Sequence, residues 1–300
     1  MKKKIADKEK ILFVLNPISG KKDKSRLTRI IHREAELENY DYDLITTEGI
    51  GHATQLVTEH RENLHKVIAV GGDGTVNEVA SAIKDTDKEM GIIPAGSGNG
   101  LARHLKIPIR TTSAMKLLVN GKTQKIDYGI ANEKPFFCTF GIGFDAQIGW
   151  KFAKNETRGF GAYVKAVIKE FFTYKPKKYT IEIDGKKVVT RAFLITVANS
   201  GQYGNNAYIS PEARIDDGLL DVCILKPFPK IASFSLAYRL FTRTMHKSKY
   251  LTIIRGKYIT MACKKKMKVH YDGEPVKMSK KLEISIIQGG LKVIVPKKLS

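Results

Sequence analysis

Residues 67–83 read VIAVGGDGTVNEVASAI. The apolar run Val67–Val70 has the texture of a strand buried on both faces. Gly71, Gly72, Asp73 and Gly74 follow, and the spacing beyond them predicts a helix through Val76–Ile83. Glycines let a backbone approach a phosphate closely. A helix N-terminus adds free N–H groups and a positive dipole end. Asp73 would be repelled by a phosphate on its own, so it would hold Mg2+, directly or through water, or orient a nucleotide. Thr75-Val76-Asn77-Glu78 also fits a capping box, which would give Glu78 a structural duty instead. The stretch lacks both the Walker lysine pattern and the dinucleotide-binding GxGxxG spacing.

Two further strand-to-loop junctions lie in the same half. Residues 11–15 (ILFVL) run into Asn16-Pro17-Ile18-Ser19-Gly20, and the short strand Gly91–Pro94 runs into Ala95-Gly96-Ser97-Gly98-Asn99. Helix-compatible segments Ser25–Glu38 and His52–Glu62, the strand Tyr42–Thr46 and the loop-to-helix transition Gly98–Leu105 fill the intervals. Strands alternating with helices predict a parallel, helix-covered sheet. In such a sheet the post-strand loops share one edge, where open α/β folds bind ligands. Any one loop reads equally as an ordinary turn; three rich in Gly, Ser and Asn read as a phosphate cradle.

The texture changes near residue 127. Tyr179–Ile183, Val188–Val197, Leu219–Leu225, Met267–Tyr271 and Leu282–Ile287 read as strands. Asp184-Gly185 and Asp272-Gly273 between them are hairpin signals. The second half is expected to be mainly antiparallel β, with helical stretches at Gly159–Phe172 and Pro229–Lys247.

The chain has 300 residues, 42% of them hydrophobic, which is enough for a sizeable core and argues against disorder. Apolar runs are far too short to span a bilayer. MKKKIADKEK at the start leads into no long apolar core, so a secretory signal is not expected. Cys138, Cys223 and Cys263 are too few and scattered for a disulfide framework or a metal site, and point to a reducing cytoplasm. Seven histidines, His52 and His104 among them, show no metal-ligand spacing. The formal charge of +22 implies attraction to polyanions, set against the alternative of a solvated lysine surface. No nucleic-acid-binding signature accompanies the charge, so no nucleic-acid partner is expected. A symmetric homodimer is the generic default for assembly.

NPISG at 16–20, GGDGTVNE at 71–78 and GSGNGLAR at 96–103 together resemble the diacylglycerol kinase catalytic domain family. That group includes bacterial lipid kinases, sphingosine and ceramide kinases and, more distantly, NAD kinases. The likeness continues through FGIGFD at 140–145, NSGQYGNNAYISPEARIDDGLLDV at 199–222 and YDGEP at 271–275, nearly the whole chain in order. It implies a three-layer α/β nucleotide-binding domain over 1–128, rejoined by 290–300 through Leu291–Lys297, and an antiparallel β-sandwich lipid-substrate domain over 129–289. It implies Mg2+-dependent transfer of the γ-phosphoryl group of ATP to a lipid hydroxyl, in a cleft between the two. Carried over position by position, Asn16, Pro17, Ile18, Ser19 and Gly20 should contact nucleotide, with Thr47, Ser97 and the run Gly72, Asp73, Gly74, Thr75, Val76, Asn77 and Glu78. The DGLLD segment resembles the family's structural Mg2+ loop, with a carboxylate from Asp217 and backbone carbonyls from Arg214 and Leu219. Glu274 matches the proton acceptor; Asp73 is the rival base and is assigned instead to Mg2+-ATP.

The alternatives are an NAD kinase-like enzyme, disfavoured by the NPISG and GSGN loops, and a non-catalytic basic module binding membrane or nucleic acid. Intact Gly72, Asp73, Asp217 and Glu274 argue against a decayed kinase. The acceptor stays open among diacylglycerol, a sphingoid base, ceramide and phosphatidylglycerol, with GSGNGLAR reminiscent of sphingoid-type members. Meeting a lipid requires peripheral contact with a membrane. Trp150, Phe152, Phe160, Tyr163, Phe171, Phe172 and Tyr174 lie among lysines in one stretch. Phe234, Tyr238 and Phe241 lie beside Arg239, Arg243 and Lys247 in another. Aromatics with cations suit an anionic interface. The alternative is that both stretches are amphipathic helices covering the β-domain.

Overall fold

The structure, a computed structural model, describes residues 10–20, 23–60, 62, 64–154, 167, 169–264, 266–277 and 280–297. The chain divides into two compact units, Met1–Ile126 with Gly290–Ser300, and Asp127–Gly289.

The first unit alternates strands and helices. These are β1 (Lys10–Leu15), α1 (Lys24–Leu37), β2 (Asp41–Thr46), α2 (His52–His60), β3 (Lys66–Gly71), α3 (Asp73–Ile83), β4 (Glu89–Pro94), α4 (Gly100–His104) and α5 (Thr111–Asn120). The strands lie parallel in the order β2-β1-β3-β4. Lys292 and Val293, from the chain's last strand, pair in parallel beyond β4. β1, β3 and β4 are buried over five of their six residues, which is why they read as continuous apolar runs rather than alternating ones. α1 starts where the Asp23 carboxylate accepts the N–H groups of Ser25 and Arg26, and it buries Leu27, Ile31 and Ala35 at a spacing of four. Phe13, Ile31 and Ile68 are fully buried in the core between helices and sheet. Each contributes about 1.5–3 kcal/mol by burial.

The second unit is a β-sandwich. One antiparallel sheet runs β12 (Leu251–Gly256), β11 (Leu220–Leu225), β10 (Leu194–Ala198), β7 (Thr139–Gly143), β14 (Lys268–Tyr271) and β15 (Glu274–Lys277). In the other, β9 (Lys186–Ala192) pairs with β8 (Lys177–Ile183), β8 with β13 (Tyr258–Ala262), and β13 with residues 281–285 of β16 (Lys281–Val295). The unit also holds residues 127–131 of β5 (Lys122–Ala131), its short partner β6 (Lys134–Phe136), and helices α6 (Phe144–Lys154) and α7 (Ala232–Phe241). Ile142, Ile195 and Val222 of one sheet share a single core with Ile181, Met261 and Ile284 of the other.

Both Asp-Gly pairs form hairpin turns with positive φ at both central residues, 47° and 81° at Asp184-Gly185 and 47° and 91° at Asp272-Gly273. The run Val188–Val197 is not one strand. It breaks at Phe193, sending β9 to one sheet and β10 to the other. Phe193 marks the switch by packing on Phe144, Phe171, Tyr174 and Phe228. The helical stretch expected over Pro229–Lys247 is α7 plus a separate 3₁₀ turn at Met245–Lys247, parted by Arg243 at φ 59°. The stretch expected over Gly159–Phe172 falls largely outside the described residues, as do Phe160, Tyr163 and the side chain of Phe152.

Candidate active site

The loops after β1, β2, β3 and β4 leave the carboxyl edge of the parallel sheet of the first unit and are stitched to one another there. Asn16 accepts the N–H of Ile18 on its own Oδ1 at 3.0 Å, and its Nδ2 donates to Thr75 Oγ1 at 3.1 Å. Its backbone N–H donates to Val70 O at 3.0 Å. Asp73 reaches from the β3 loop to the β4 loop: Oδ2 accepts the N–H of Asn99 at 2.9 Å and Oδ1 that of Gly100 at 2.6 Å. Asn99, at φ 51° and buried, closes the β4 loop by accepting the N–H of Gly96 and donating to its carbonyl. Gly96 is required for this approach, because a Cβ there would lie 2.4 Å from Gly72 Cα. Thr47, buried after β2, donates its N–H to Leu15 O at 2.8 Å.

The expected capping box does not form. α3 begins at Asp73, with Gly72 as N-cap and no side-chain cap. Thr75 therefore lies inside the first turn, where Asn16 takes its hydroxyl. Glu78 instead accepts the N–H groups of Gly51 and Ala53 at 2.9 and 3.0 Å, holding the start of α2. Val76 has a buried side chain, and its N–H donates to Gly72 O. The amides of Gly74 and Thr75, by contrast, have no acceptor within the helix. Pro17, Ile18, Gly20 and Ser97 are exposed at the same edge. Lys24, at the first turn of α1, donates to the carbonyl of Ser19 and, at 3.1 Å, to its hydroxyl. Desolvation holds its ammonium below the usual lysine range. This cation at the phosphate-type edge carries no signal in the sequence beyond one more lysine.

In the second unit, Glu274 opens β15 directly after the Asp272-Gly273 turn and is exposed. The turn is anchored from behind, where Asp272 accepts the N–H groups of Phe137, Cys138 and Thr139 at 2.9, 2.7 and 2.9 Å. His270 adds a second anchor that sequence spacing could not show. Its Nδ1 accepts the N–H of Gly273 at 3.4 Å, and its Nε2 lies 3.1 Å from Asp145 Oδ2. With Nδ1 accepting, the proton belongs on Nε2, facing the carboxylate. Gly141 makes room for the pair, since a Cβ there would meet His270 Nε2 at 2.1 Å.

The loop holding Arg214, Asp217 and Leu219 is fixed by Asp127, which is 1% exposed and accepts the N–H groups of Gly218 and Gly289, both at 2.7 Å. Asp217 Oδ1 accepts the N–H of Leu219 at 3.1 Å, and Oδ2 lies 3.7 Å from Arg255. Asp221 shares that guanidinium at 3.0 Å; burial, and secondarily the Asp217 charge, push its carboxyl above the usual range, against Ser210 and Arg255. Two carboxylates on one guanidinium, with carbonyls in the same turn, are oxygen donors of the kind a hard divalent cation takes. Among the described residues no group of three His, Cys, Asp or Glu side chains is placed to hold a metal ion.

The Diacylglycerol kinase catalytic domain family matches residues 10–131, and the YegS C-terminal NAD kinase beta sandwich-like domain matches residues 139–295. The diacylglycerol kinase of Bacillus subtilis is 27% identical over 270 residues, covering 87% of this chain and 88% of that protein. The uncharacterized protein sll0036 of Synechocystis is 27% identical over 237 residues; the match covers 77% of this chain and 54% of that longer protein. The crystal structure of a diacylglycerol kinase from Bacillus anthracis has the same fold, with a TM-score of 0.77 at 22% identity over 97% of this chain and 98% of that one. With one family spanning the α/β unit and the other the sandwich, the chain belongs to the diacylglycerol kinase catalytic domain family of lipid kinases.

Proposed function

We propose that the protein transfers the γ-phosphoryl group of ATP to the primary hydroxyl of a lipid at an anionic membrane surface, with Mg2+. The observation that carries this reading is the stitching of three βα loops, Asn16 to Thr75 and Asp73 to Asn99 and Gly100, which sets the exposed loops after β1 and β4 at one sheet edge with the N-terminus of α3 and its Gly74 and Thr75 amides. A triphosphate suits such an edge, because amides and a helix N-terminus stabilise its charge without moving. Lys24 adds a cation beside Ser19. In phosphoryl transfer most of the catalysis is positioning and charge neutralisation.

Glu274 accepts the proton of the lipid hydroxyl as its oxygen bonds to the γ-phosphorus. The bond from that phosphorus to the β,γ-bridging oxygen breaks, and ADP leaves. Asp272 and His270 hold the turn that aims Glu274. Asp217, with the carbonyls of Arg214 and Leu219, would hold a Mg2+ that orders the loop; the oxygen donors there support this. Asp73 orders the nucleotide loops through its two amide contacts, leaving the base to Glu274. Incubation with labelled ATP and a panel of diacylglycerol, sphingoid base, ceramide and phosphatidylglycerol, with NAD as control acceptor, is expected to label one lipid and not NAD. Label on NAD alone would overturn the reading.

A further inference from the structure

α7 is apolar on two opposite faces. At about 100° per residue, Leu236 and Leu240 point one way, and Leu236 is buried in a cluster with Leu225, Met245 and Leu251. Ile231, Phe234, Tyr238 and Phe241 fall on the opposite side, at spacings of three, four and three. Their exposures are 76%, 76%, 70% and 59%. A helix that merely covers a sandwich carries polar residues there. Phe172, 58% exposed, is tied to the start of α7 by the Lys230 ammonium, 4.8 Å from its ring centroid. Scattered exposed hydrophobics need no explanation, but a contiguous aromatic patch marks an interaction site.

Charge selects the occupant. Residues 222–271 contain twelve Lys and Arg and no Asp or Glu. Lys230, Arg243 and Lys247, near the stripe in the chain, are all exposed. A second copy of this face would set these cations against their own kind. An anionic bilayer satisfies both features: aromatic rings settle at the headgroup level and cations meet lipid phosphates.

We propose that the outward face of α7, with Phe172, docks the protein on anionic bilayers, Phe234, Tyr238 and Phe241 entering the headgroup layer under a rim of Lys and Arg. The proposal rests on the lipid-kinase reading only for its purpose, since docking needs no turnover. The test is co-sedimentation of the full chain with vesicles of phosphatidylcholine alone and of phosphatidylcholine with phosphatidylglycerol. Wild type is expected to bind the anionic vesicles, with salt weakening the binding. Phe234→Ser with Phe241→Ser should bind at least tenfold more weakly, and Lys230→Gln with Lys247→Gln about fivefold more weakly per charge removed. All four positions are exposed, so melting temperatures should not change. Both variants should keep wild-type phosphorylation of a dispersed short-chain lipid acceptor. Equal vesicle binding by the Phe variant, or no binding by wild type, overturns the proposal. So does a wild-type dimer that the Phe variant dissolves in sedimentation equilibrium, which would assign the face to a second copy. Vesicle binding without turnover of any lipid would sink the kinase reading and leave the docking face standing.

Discussion

Asp73 sits in the first turn of α3 with one carboxylate oxygen on the N–H of Asn99 and the other on that of Gly100. Asp73→Asn keeps one acceptor and turns an NH2 group toward the other N–H. Leaving a donor unmet costs about 1–3 kcal/mol. The variant should melt at a lower temperature and show a KM for ATP raised roughly tenfold, by the same energy. An unchanged melting temperature with altered Mg2+ dependence would mean that Asp73 acts on the cation and not on the loops. Glu78 is the companion case. Its type and place suggested nucleotide or its own helix, yet it holds the start of a different helix, through Gly51 and Ala53. Residue type announced that both carboxylates matter; only the fold shows which amides they meet.

Between elements, the β3 and β4 loops touch backbone to backbone at the edge proposed to hold the nucleotide. Gly96→Ala would place a Cβ 2.4 Å from Gly72 Cα and 3.1 Å from Asn99 Oδ1, so the loops must part. Overpacking of this kind costs about 1–3 kcal/mol, and ATP binding measured by calorimetry should weaken at least about fivefold by the same energy. Gly49→Ala is the control, with nothing within 4 Å of the added carbon. Wild-type ATP affinity in Gly96→Ala would show that the loops need not meet. These loops were legible in the sequence because Gly, Asn and Asp follow an apolar run at three successive strand ends, which an ordinary turn alone does not require. The hairpins at Asp184-Gly185 and Asp272-Gly273 were legible for the same reason. The switch of sheets at Phe193 was not, because no Gly, Pro or other turn residue separates the half-exposed β9 from the fully buried β10. The Asp145–His270 pair joins positions 125 residues apart and leaves no local pattern. On α7, apolar residues on both faces hide which one the protein buries.

At the scale of the molecule, the two folds offer different groups. The parallel α/β unit offers amides and a helix N-terminus, which suit phosphate. The sandwich offers rigid hairpins, one carrying Glu274, and the basic span 222–271. No helix among the described residues is long and apolar enough to cross a membrane, and α7 carries an exposed apolar stripe. Asp272 fixes the turn that precedes Glu274, with three backbone amides on one carboxylate. The most direct test of this division is Glu274→Gln, with ATP affinity read by calorimetry and lipid phosphorylation read as turnover in the same preparation. Unchanged ATP affinity with turnover lower by at least ~10² is the expected result, the size of general-base catalysis. Near-normal turnover, or ATP affinity lost along with it, would contradict the assignment of the proton acceptor to the sandwich and of the nucleotide to the parallel sheet.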